Sequence, residues 1–221
     1  MAAPTSSPAR ESLEYEAAWL ERNGWHKAIA GEDDFRKACL ALKHYRKDRK
    51  NGLLIIGEPG CGKTFLAQKL FDNTKGSRDY EDMIDRRVWI DCSDRESLNR
   101  LASPEDARQF NLVKPIGAEE DWWRPIIFID DLGKESTVRL YGGELNIIDA
   151  FIHRFHKEWE KPYDGRVSGP PQFGNHLVIT SNFSLPDLEA RYGVRVMDRL
   201  LEMCAVVRFD GFSKRKVMRL E

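Results

Sequence analysis

A glycine-rich octapeptide constrains this chain more than any other feature of its sequence. Residues 57–64, GEPGCGKT, match the pattern G-x-x-x-x-G-K-[ST] in full. The apolar run Leu53–Ile56 precedes the octapeptide and a helical pattern beginning at Phe65 follows it. Glycines at this spacing let backbone N–H groups converge on phosphate oxygens, while the helix N-terminus adds the positive end of its dipole. The sequence therefore predicts a phosphate loop between a buried strand and a helix.

The residue types within the loop predict its ligands. Lys63 is expected to reach the β- and γ-phosphates, and the Thr64 hydroxyl is expected to hold Mg²⁺. We therefore expect ATP and Mg²⁺ to bind here. The predicted nucleotide contacts are Gly57, Glu58, Pro59, Gly60, Cys61, Gly62, Lys63, Thr64 and Phe65.

Polar side chains end two further apolar runs. Ile126–Ile129 leads into Asp130 and Asp131, and a later run ends in Thr180-Ser181-Asn182. Ligands bind at the carboxyl ends of strands in open α/β sheets. Asp130 is predicted to bind Mg²⁺, and Asp131 to orient or deprotonate the attacking water.

Apolar runs alternate with helical patterns along most of the chain. The predicted strands are GLLIIG, RRVWID, PIIFID, HLVITSN and CAVVRF, and helical patterns lie between them at 64–71, 94–110, 143–159 and 186–202. This alternation predicts an α/β fold with a mostly parallel sheet of about five strands between helices. Upstream, the sequence predicts a disordered tail over residues 1–10 and helices over 11–22 and about 32–47.

Composition excludes several classes of protein. A formal net charge of -1 argues against a polycation, and 41% hydrophobic residues argue against disorder as the main state. No apolar run approaches a membrane span, and the first residues lack the apolar segment of a secretory signal. The four cysteines form no CxxC pair. We therefore expect a cytoplasmic protein that does not associate with membranes.

These motifs in this order resemble the AAA+ ATPases, and within them the DnaC/IstB-like group of the initiator clade. The resemblance covers about residues 32–216, and SNFSLPDLEARYGVRVMDRL (181–200) is its most specific stretch. IIFIDDLG (126–133) and GFSKR (211–215) are also similar to that group. The resemblance implies a AAA+ P-loop NTPase core over residues 32–221. The sequence departs from the family in its N-terminal extension, which is expected to be short and helical over residues 1–31, and in its C-terminal lid, which is expected to be missing or vestigial.

The resemblance also assigns catalytic roles. It makes the phosphate loop Walker A and the two aspartates Walker B, although many AAA+ enzymes carry Glu where Asp131 stands. Asn182 would be sensor 1, with Thr180 as a second candidate. Arg199 would be an arginine finger acting on ATP in an adjacent subunit, which implies a homo-oligomer, and Arg215 would be the sensor 2 arginine.

By the same resemblance, the function is ATP-dependent loading of a replicative helicase, with single-stranded DNA as a partner. An extra helix of the clade would lie near residues 94–114, with the predicted DNA contacts Arg95, Arg100, Arg108, Phe110 and Lys114. Acidic neighbours dilute this charge, so a solvated helix is the alternative. Two other functions stay open: an IstB-like transposition helper that acts on duplex DNA with a transposase, and a nucleotide-switched scaffold that hardly hydrolyses ATP.

The predicted helix over residues 11–22 also allows two interpretations. Tyr15, Trp19 and Leu20 lie along it and would suit a partner groove. The same side chains would equally pack on the core of this chain.

Overall fold

A computed structural model of the chain describes residues 8–47, 52–73, 87–102, 126–135, 138–140, 143–145, 147–159 and 177–211. The helices are α1 (Pro8–Arg22), α2 (Lys27–Ala30), α3 (Glu32–Lys47), α4 (Lys63–Asn73), α5 (Arg95–Ala102), α6 (Ile147–Trp159), α7 (Leu185–Tyr192) and α8 (Val194–Met203). The strands are β1 (Gly52–Gly57), β2 (Arg87–Asp91), β3 (Ile126–Leu132), β4 (Val138–Leu140), β5 (Gly143–Leu145), β6 (Leu177–Ser181) and β7 (Cys204–Phe209).

Five strands form one parallel sheet in the order β2-β3-β6-β1-β7. Leu53 of β1 pairs with Val178 of β6 on one side and Ala205 of β7 on the other. The phosphate loop follows β1, the two aspartates end β3, and Asn182 follows β6. Since all five strands run the same way, these groups share one edge of the sheet. The predicted α/β fold class, a parallel sheet between helices, is confirmed.

Two apolar clusters cover the two faces of the sheet. Leu54 and Ile56 belong to the cluster that contains side chains of α6 and α8. Leu53 and Ile55, which point the opposite way, belong to the cluster that contains side chains of α1, α3 and α4. Burial on both faces explains why the strands read as continuous apolar runs in the sequence.

The N-terminal helices belong to the second of these clusters. Trp19 is 9% exposed and Leu20 is 1% exposed, and both pack in the cluster that contains Leu53. Tyr15, by contrast, is 58% exposed. Of the two interpretations of this helix, packing on the core holds for Trp19 and Leu20.

The sequence places the start of α1 too late. The helix begins at Pro8, inside the segment 1–10 that was predicted to be a tail. Proline suits the first turn of a helix because its fixed φ fits and its missing N–H has no intrahelical partner there. The predicted α3, in contrast, has the bounds found in the structure.

Two predicted helices need correction. Residues 143–159 were predicted to be helical throughout, but Gly143–Leu145 forms β5, which pairs antiparallel with β4, and α6 begins at Ile147. Paired glycines at 142 and 143 favour a turn over a helix. Residues 186–202 form two helices, because Gly193 adopts a φ of 82° and separates α7 from α8. Among the described helices, none is both long enough and apolar enough to span a membrane.

Candidate nucleotide-binding site

The phosphate loop follows β1 without a break and leads into the first turn of α4. Gly60 and Gly62 adopt φ values of 87° and 100°, a region that other L-residues rarely enter. Cys61, between them, is fully buried. Thr64 and Phe65 are exposed at the start of α4. The loop therefore presents its backbone and the helix N-terminus on one surface, as phosphate binding requires.

Lys63 is held inside the loop. Its Nζ donates hydrogen bonds to the carbonyl oxygens of Gly57, at 2.7 Å, and Glu58, at 2.9 Å. The Lys63 side chain is only 4% exposed, and this burial lowers its pKa. A charge removed from water in this way gains more from an anionic partner than an exposed one would.

Asp130, on β3, contacts both the phosphate loop and the neighbouring strand β6. Its Oδ1 accepts hydrogen bonds from Thr64 Oγ1, at 3.0 Å, and from Thr180 Oγ1, at 2.5 Å. Burial raises the pKa of Asp130, the two hydroxyl donors oppose that rise, and the charge of Asp131 adds to it. Thr64 and Asp130 thus offer oxygen ligands within hydrogen-bond distance of each other, which fits the preference of Mg²⁺.

Asp131 lies on an irregular turn of β3. Its φ is 58°, and the pairing of β3 with β6 shifts register between Ile129 and Leu132. The Asp131 backbone N–H donates to Thr180 Oγ1 at 3.0 Å, and its Oδ1 accepts from Asn182 Nδ2 at 2.7 Å. Lys134 Nζ lies 2.5 Å from the other carboxylate oxygen. The structure therefore brings Asp131 and Asn182 together, while Thr180 contacts both aspartates.

A cleft runs beside the phosphate loop at the carboxyl ends of β1, β6 and β7. Its polar lining includes Glu58, Asn182, Ser184, Arg208 and Asp210. The side chain of Arg208 is 70% exposed, and its Nε lies 2.9 Å from Asp210 Oδ1. Sequence reasoning missed Arg208, although a basic residue at the carboxyl end of a predicted strand was a usable signal.

Aromatic rings cover another side of the loop. Phe65 is 42% exposed, and its ring centroid lies 6.0 Å from that of Trp25 in an edge-on contact. Trp25 in turn contacts Phe209 at 5.4 Å. Phe65, predicted as a nucleotide contact, is thus the exposed end of a short aromatic row.

Arg199 lies on α8, in a basic cluster with Arg195 and with His153 of α6. The charge of Arg199 is the main cause of a lowered pKa at His153, followed by desolvation and the charge of Arg195. Of the predicted DNA contacts, Arg95 is exposed at the start of α5 and Arg100 lies on that helix. The other predicted contacts Arg108, Phe110 and Lys114, and the sensor 2 candidate Arg215, lie outside the described residues.

Comparison with known proteins finds remote relatives. No protein-family model matches the chain. Two probable disease resistance proteins of Arabidopsis thaliana align with it, one at 21% identity over 65% of this chain and 48% of that protein, the other at 30% identity over 45% and 29%. The chain therefore spans less than half the length of either relative.

Solved structures with a similar arrangement include the DnaC helicase loader, with a TM-score of 0.49 and 18% identity over 82% of this chain and 90% of that one. Domain III of the Thermotoga maritima replication initiation protein DnaA gives a TM-score of 0.48 and 20% identity, over 81% and 64%. An ADP complex of Saccharomyces cerevisiae Hsp104 gives 0.45 and 14%, over 92% and 30%.

The phosphate loop, the paired aspartates and the parallel sheet define a P-loop NTPase fold. Within that fold β6, which leads into Asn182, lies between the phosphate-loop strand β1 and the aspartate strand β3.

Proposed function

We propose that the protein binds ATP with Mg²⁺ and hydrolyses it to ADP and phosphate. The observation that carries the proposal is the 3.0 Å contact between Thr64 and Asp130, made beside the buried Lys63. These residues come from two separate motifs of the sequence. Their meeting at one edge of the sheet is what a phosphate site with a metal ligand pair requires.

Each polar group of the site has a role in this reaction. Backbone N–H groups of the loop and the ammonium of Lys63 bind the β- and γ-phosphates. Thr64 and Asp130 would hold Mg²⁺, which when bound neutralises phosphate charge. Asp131 orients the attacking water or accepts its proton, and the Asn182 amide fixes the carboxylate that does so.

The surroundings of Asp131 favour slow turnover. Its two carboxylate oxygens already accept from Asn182 and pair with Lys134. A water molecule that reaches this carboxylate has to share its oxygens with those two donors. This observation favours a second candidate function, in which the protein is a nucleotide-switched scaffold that binds ATP and hydrolyses little of it.

We further propose that Arg199 acts on ATP bound by a neighbouring subunit. Arg199 lies on α8 within a basic cluster. Its guanidinium would stabilise charge on the transferring phosphoryl group of the neighbouring subunit's ATP. The residues of the site itself then belong to one subunit and the arginine to the next. Arg215 is proposed to act on the ATP of its own subunit.

ATP turnover measured over a range of protein concentrations tests these assignments. We expect specific activity to rise with concentration, to vanish in Lys63→Ala, and to fall by about 10³-fold in Arg199→Ala. Arg36→Ala, which removes an exposed arginine of α3, is the matched control and should keep wild-type activity. ATP binding that needs Lys63, without Lys63-dependent turnover, would favour the scaffold.

For the biological role we propose loading of a replicative helicase onto single-stranded DNA. The sequence motifs around residues 181–200 support this role, and Arg95, Arg100, Arg108, Phe110 and Lys114 are the proposed DNA contacts. Co-purification with a helicase, and ATPase stimulation by single-stranded rather than duplex DNA, would support it. Co-purification with a transposase and preference for duplex DNA would instead identify a transposition helper.

A further inference from the structure

Glu135 is a buried carboxylate that the proposed reaction does not use. It lies shortly after Asp131 in the chain and is 6% exposed. Its Oε2 accepts a hydrogen bond from the Gly133 backbone N–H at 2.9 Å. Its Oε1 accepts from Arg191 Nε at 3.1 Å and from the Tyr192 hydroxyl. The two oxygens of one carboxylate therefore hold two separate parts of the chain.

The first part is the turn that ends β3 and carries Asp131. Gly133 has a φ of 102°, and a Cβ at this position would lie 2.4 Å from the Phe183 ring, so the turn is closely packed against the residue after Asn182. Ser181 Oγ donates to the Leu132 carbonyl at 2.6 Å. With Glu135 holding the Gly133 N–H, the turn is fixed on both sides.

The second part is the carboxyl end of α7. Arg191 and Tyr192 are its last residues, and Arg191 also donates to the Glu135 carbonyl oxygen. Gly193 follows with its left-handed φ, its N–H bonded to the Glu189 carbonyl at 2.8 Å, and α8 starts directly after it. Arg199 lies on α8. The end of α7 therefore sets where α8 begins.

We propose that Glu135 is a positioning residue that links the turn carrying Asp131 to the helix carrying Arg199. This inference rests on the proposed ATPase. Through its two oxygens, Glu135 couples the carboxylate that acts on a subunit's own ATP to the arginine that the same subunit offers to its neighbour. A shift of the turn on nucleotide binding is thereby transmitted to α8.

Because both oxygens of the Glu135 carboxylate accept hydrogen bonds, replacing one of them should break the link. A glutamine at position 135 has one acceptor oxygen and one amide donor. If the oxygen faces Arg191 and Tyr192, the amide opposes the Gly133 N–H; if it is turned over, the amide faces Arg191. Either arrangement breaks one half of the link while the volume of the side chain is kept. Tyr192→Phe removes only a hydroxyl from the other half.

Steady-state turnover and ATP affinity measured on the full chain test the positioning role. We expect Glu135→Gln and Tyr192→Phe each to lower kcat by about tenfold, the order expected for one hydrogen bond to a charged group. The Kd for a fluorescent ATP analogue should stay within about twofold, because neither residue is in the phosphate loop. Glu189→Gln, which changes an exposed side chain of the same helix, should leave both quantities unchanged.

Mixed subunits separate the two halves of the link. Lys63→Ala subunits bind no ATP but offer Arg199, and Arg199→Ala subunits bind ATP but offer no arginine, so only their mixture should be active. We expect Tyr192→Phe to lower the activity of the mixture by about tenfold when placed in either kind of subunit. Placed in the first kind it disturbs the offered arginine, and in the second it disturbs Asp131.

Three results would overturn the inference. One is wild-type activity of the mixture with Tyr192→Phe in either subunit. Another is a loss of ATP affinity and thermal stability in step with kcat, which is what a purely structural role would give. If wild type shows no turnover that depends on Lys63, the proposed function itself is wrong and the link falls with it.

Discussion

At the scale of single residues, the proposed nucleotide site is built from charges that are unfavourable in the protein without its ligand. Asp130 is 9% exposed and lies beside Asp131, and Lys63 is 4% exposed. Burial raises the pKa of the aspartate and lowers that of the lysine, so each is less stable in its charged form than it would be in water. Charges buried in this way lower stability, which is expected of residues kept for binding or catalysis.

Replacing Asp130 by asparagine should stabilise the protein in the absence of nucleotide. Asparagine keeps an acceptor for Thr64 and Thr180 but removes the buried charge. We expect a gain of about 1 kcal/mol in the free energy of unfolding at pH 7–8, or about 2–4 °C in Tm. Thermal unfolding without nucleotide measures this, and ATPase activity should be lost in parallel.

The gain should depend on pH in a defined direction. Because the folded-state pKa of Asp130 lies above its unfolded value, the penalty is full above the folded pKa. It disappears as the pH falls below the unfolded pKa, where the carboxyl is neutral in both states. A Tm difference between variant and wild type that grew on acidification would contradict this account.

Gly133 should not tolerate a side chain. Alanine there would combine a φ of 102° with a Cβ 2.4 Å from the Phe183 ring. We expect Gly133→Ala to cost about 2 kcal/mol or more in urea unfolding, with part of the loss recovered when Phe183→Ala removes the ring. Equal losses with and without Phe183 would show that the ring is not the obstacle.

At the scale of helices and strands, periodicity and motifs predicted the elements whose sequence patterns are local. The bounds of α3 were predicted from its apolar face. The strand β1 and the phosphate loop after it were predicted from the apolar run and the spacing of the glycines. The pairing of β4 with β5 was not predicted from the sequence. The break at Gly193 was also missed, because α7 and α8 bury apolar side chains in the same cluster and the helical pattern continues through the glycine.

The residues of the candidate site were likewise predictable where their sequence signal is local. Apolar runs end at Asp130, Asp131 and Asn182, and this pattern predicts that the three residues lie at the carboxyl ends of strands. Glu135 carries no such signal, since its importance comes from contacts with residues distant in sequence.

Asp34 ties α3 to the end of β7 and should be important for stability. It is 3% exposed and accepts hydrogen bonds from the backbone N–H groups of Asp210, at 3.1 Å, and Gly211, at 2.9 Å. We expect Asp34→Ala to cost about 2–4 kcal/mol, because both donors lose their partner. Asp33→Ala, at an exposed neighbour in the same helix turn, should change stability by less than about 0.5 kcal/mol. Chemical denaturation of both variants makes the comparison, and similar losses would rule out a role for the two N–H groups.

At the scale of the whole molecule, α1 forms part of the core on one face of the sheet. Trp19→Ala should cost about 3–5 kcal/mol because it empties a buried site in the cluster that contains Leu20 and Leu53. Tyr15→Ala, at an exposed position of the same helix, should be close to neutral for stability. Urea unfolding compares the two, and a small loss at Trp19 would mean that α1 adds little to the core.

The strand order also governs how this chain has to fold. β1 lies between β6 and β7, so Leu53 finds both of its partners, Val178 and Ala205, only late in the sequence. Closing such long loops is slow, and a chain growing on the ribosome meets its phosphate loop long before the strands that flank it. Until β6 and then β7 have emerged, β1 is an apolar strand with at least one open edge, prone to pair with other chains. ATP, the proposed ligand, would then bind the native state alone and so shift newly made chains towards the folded form.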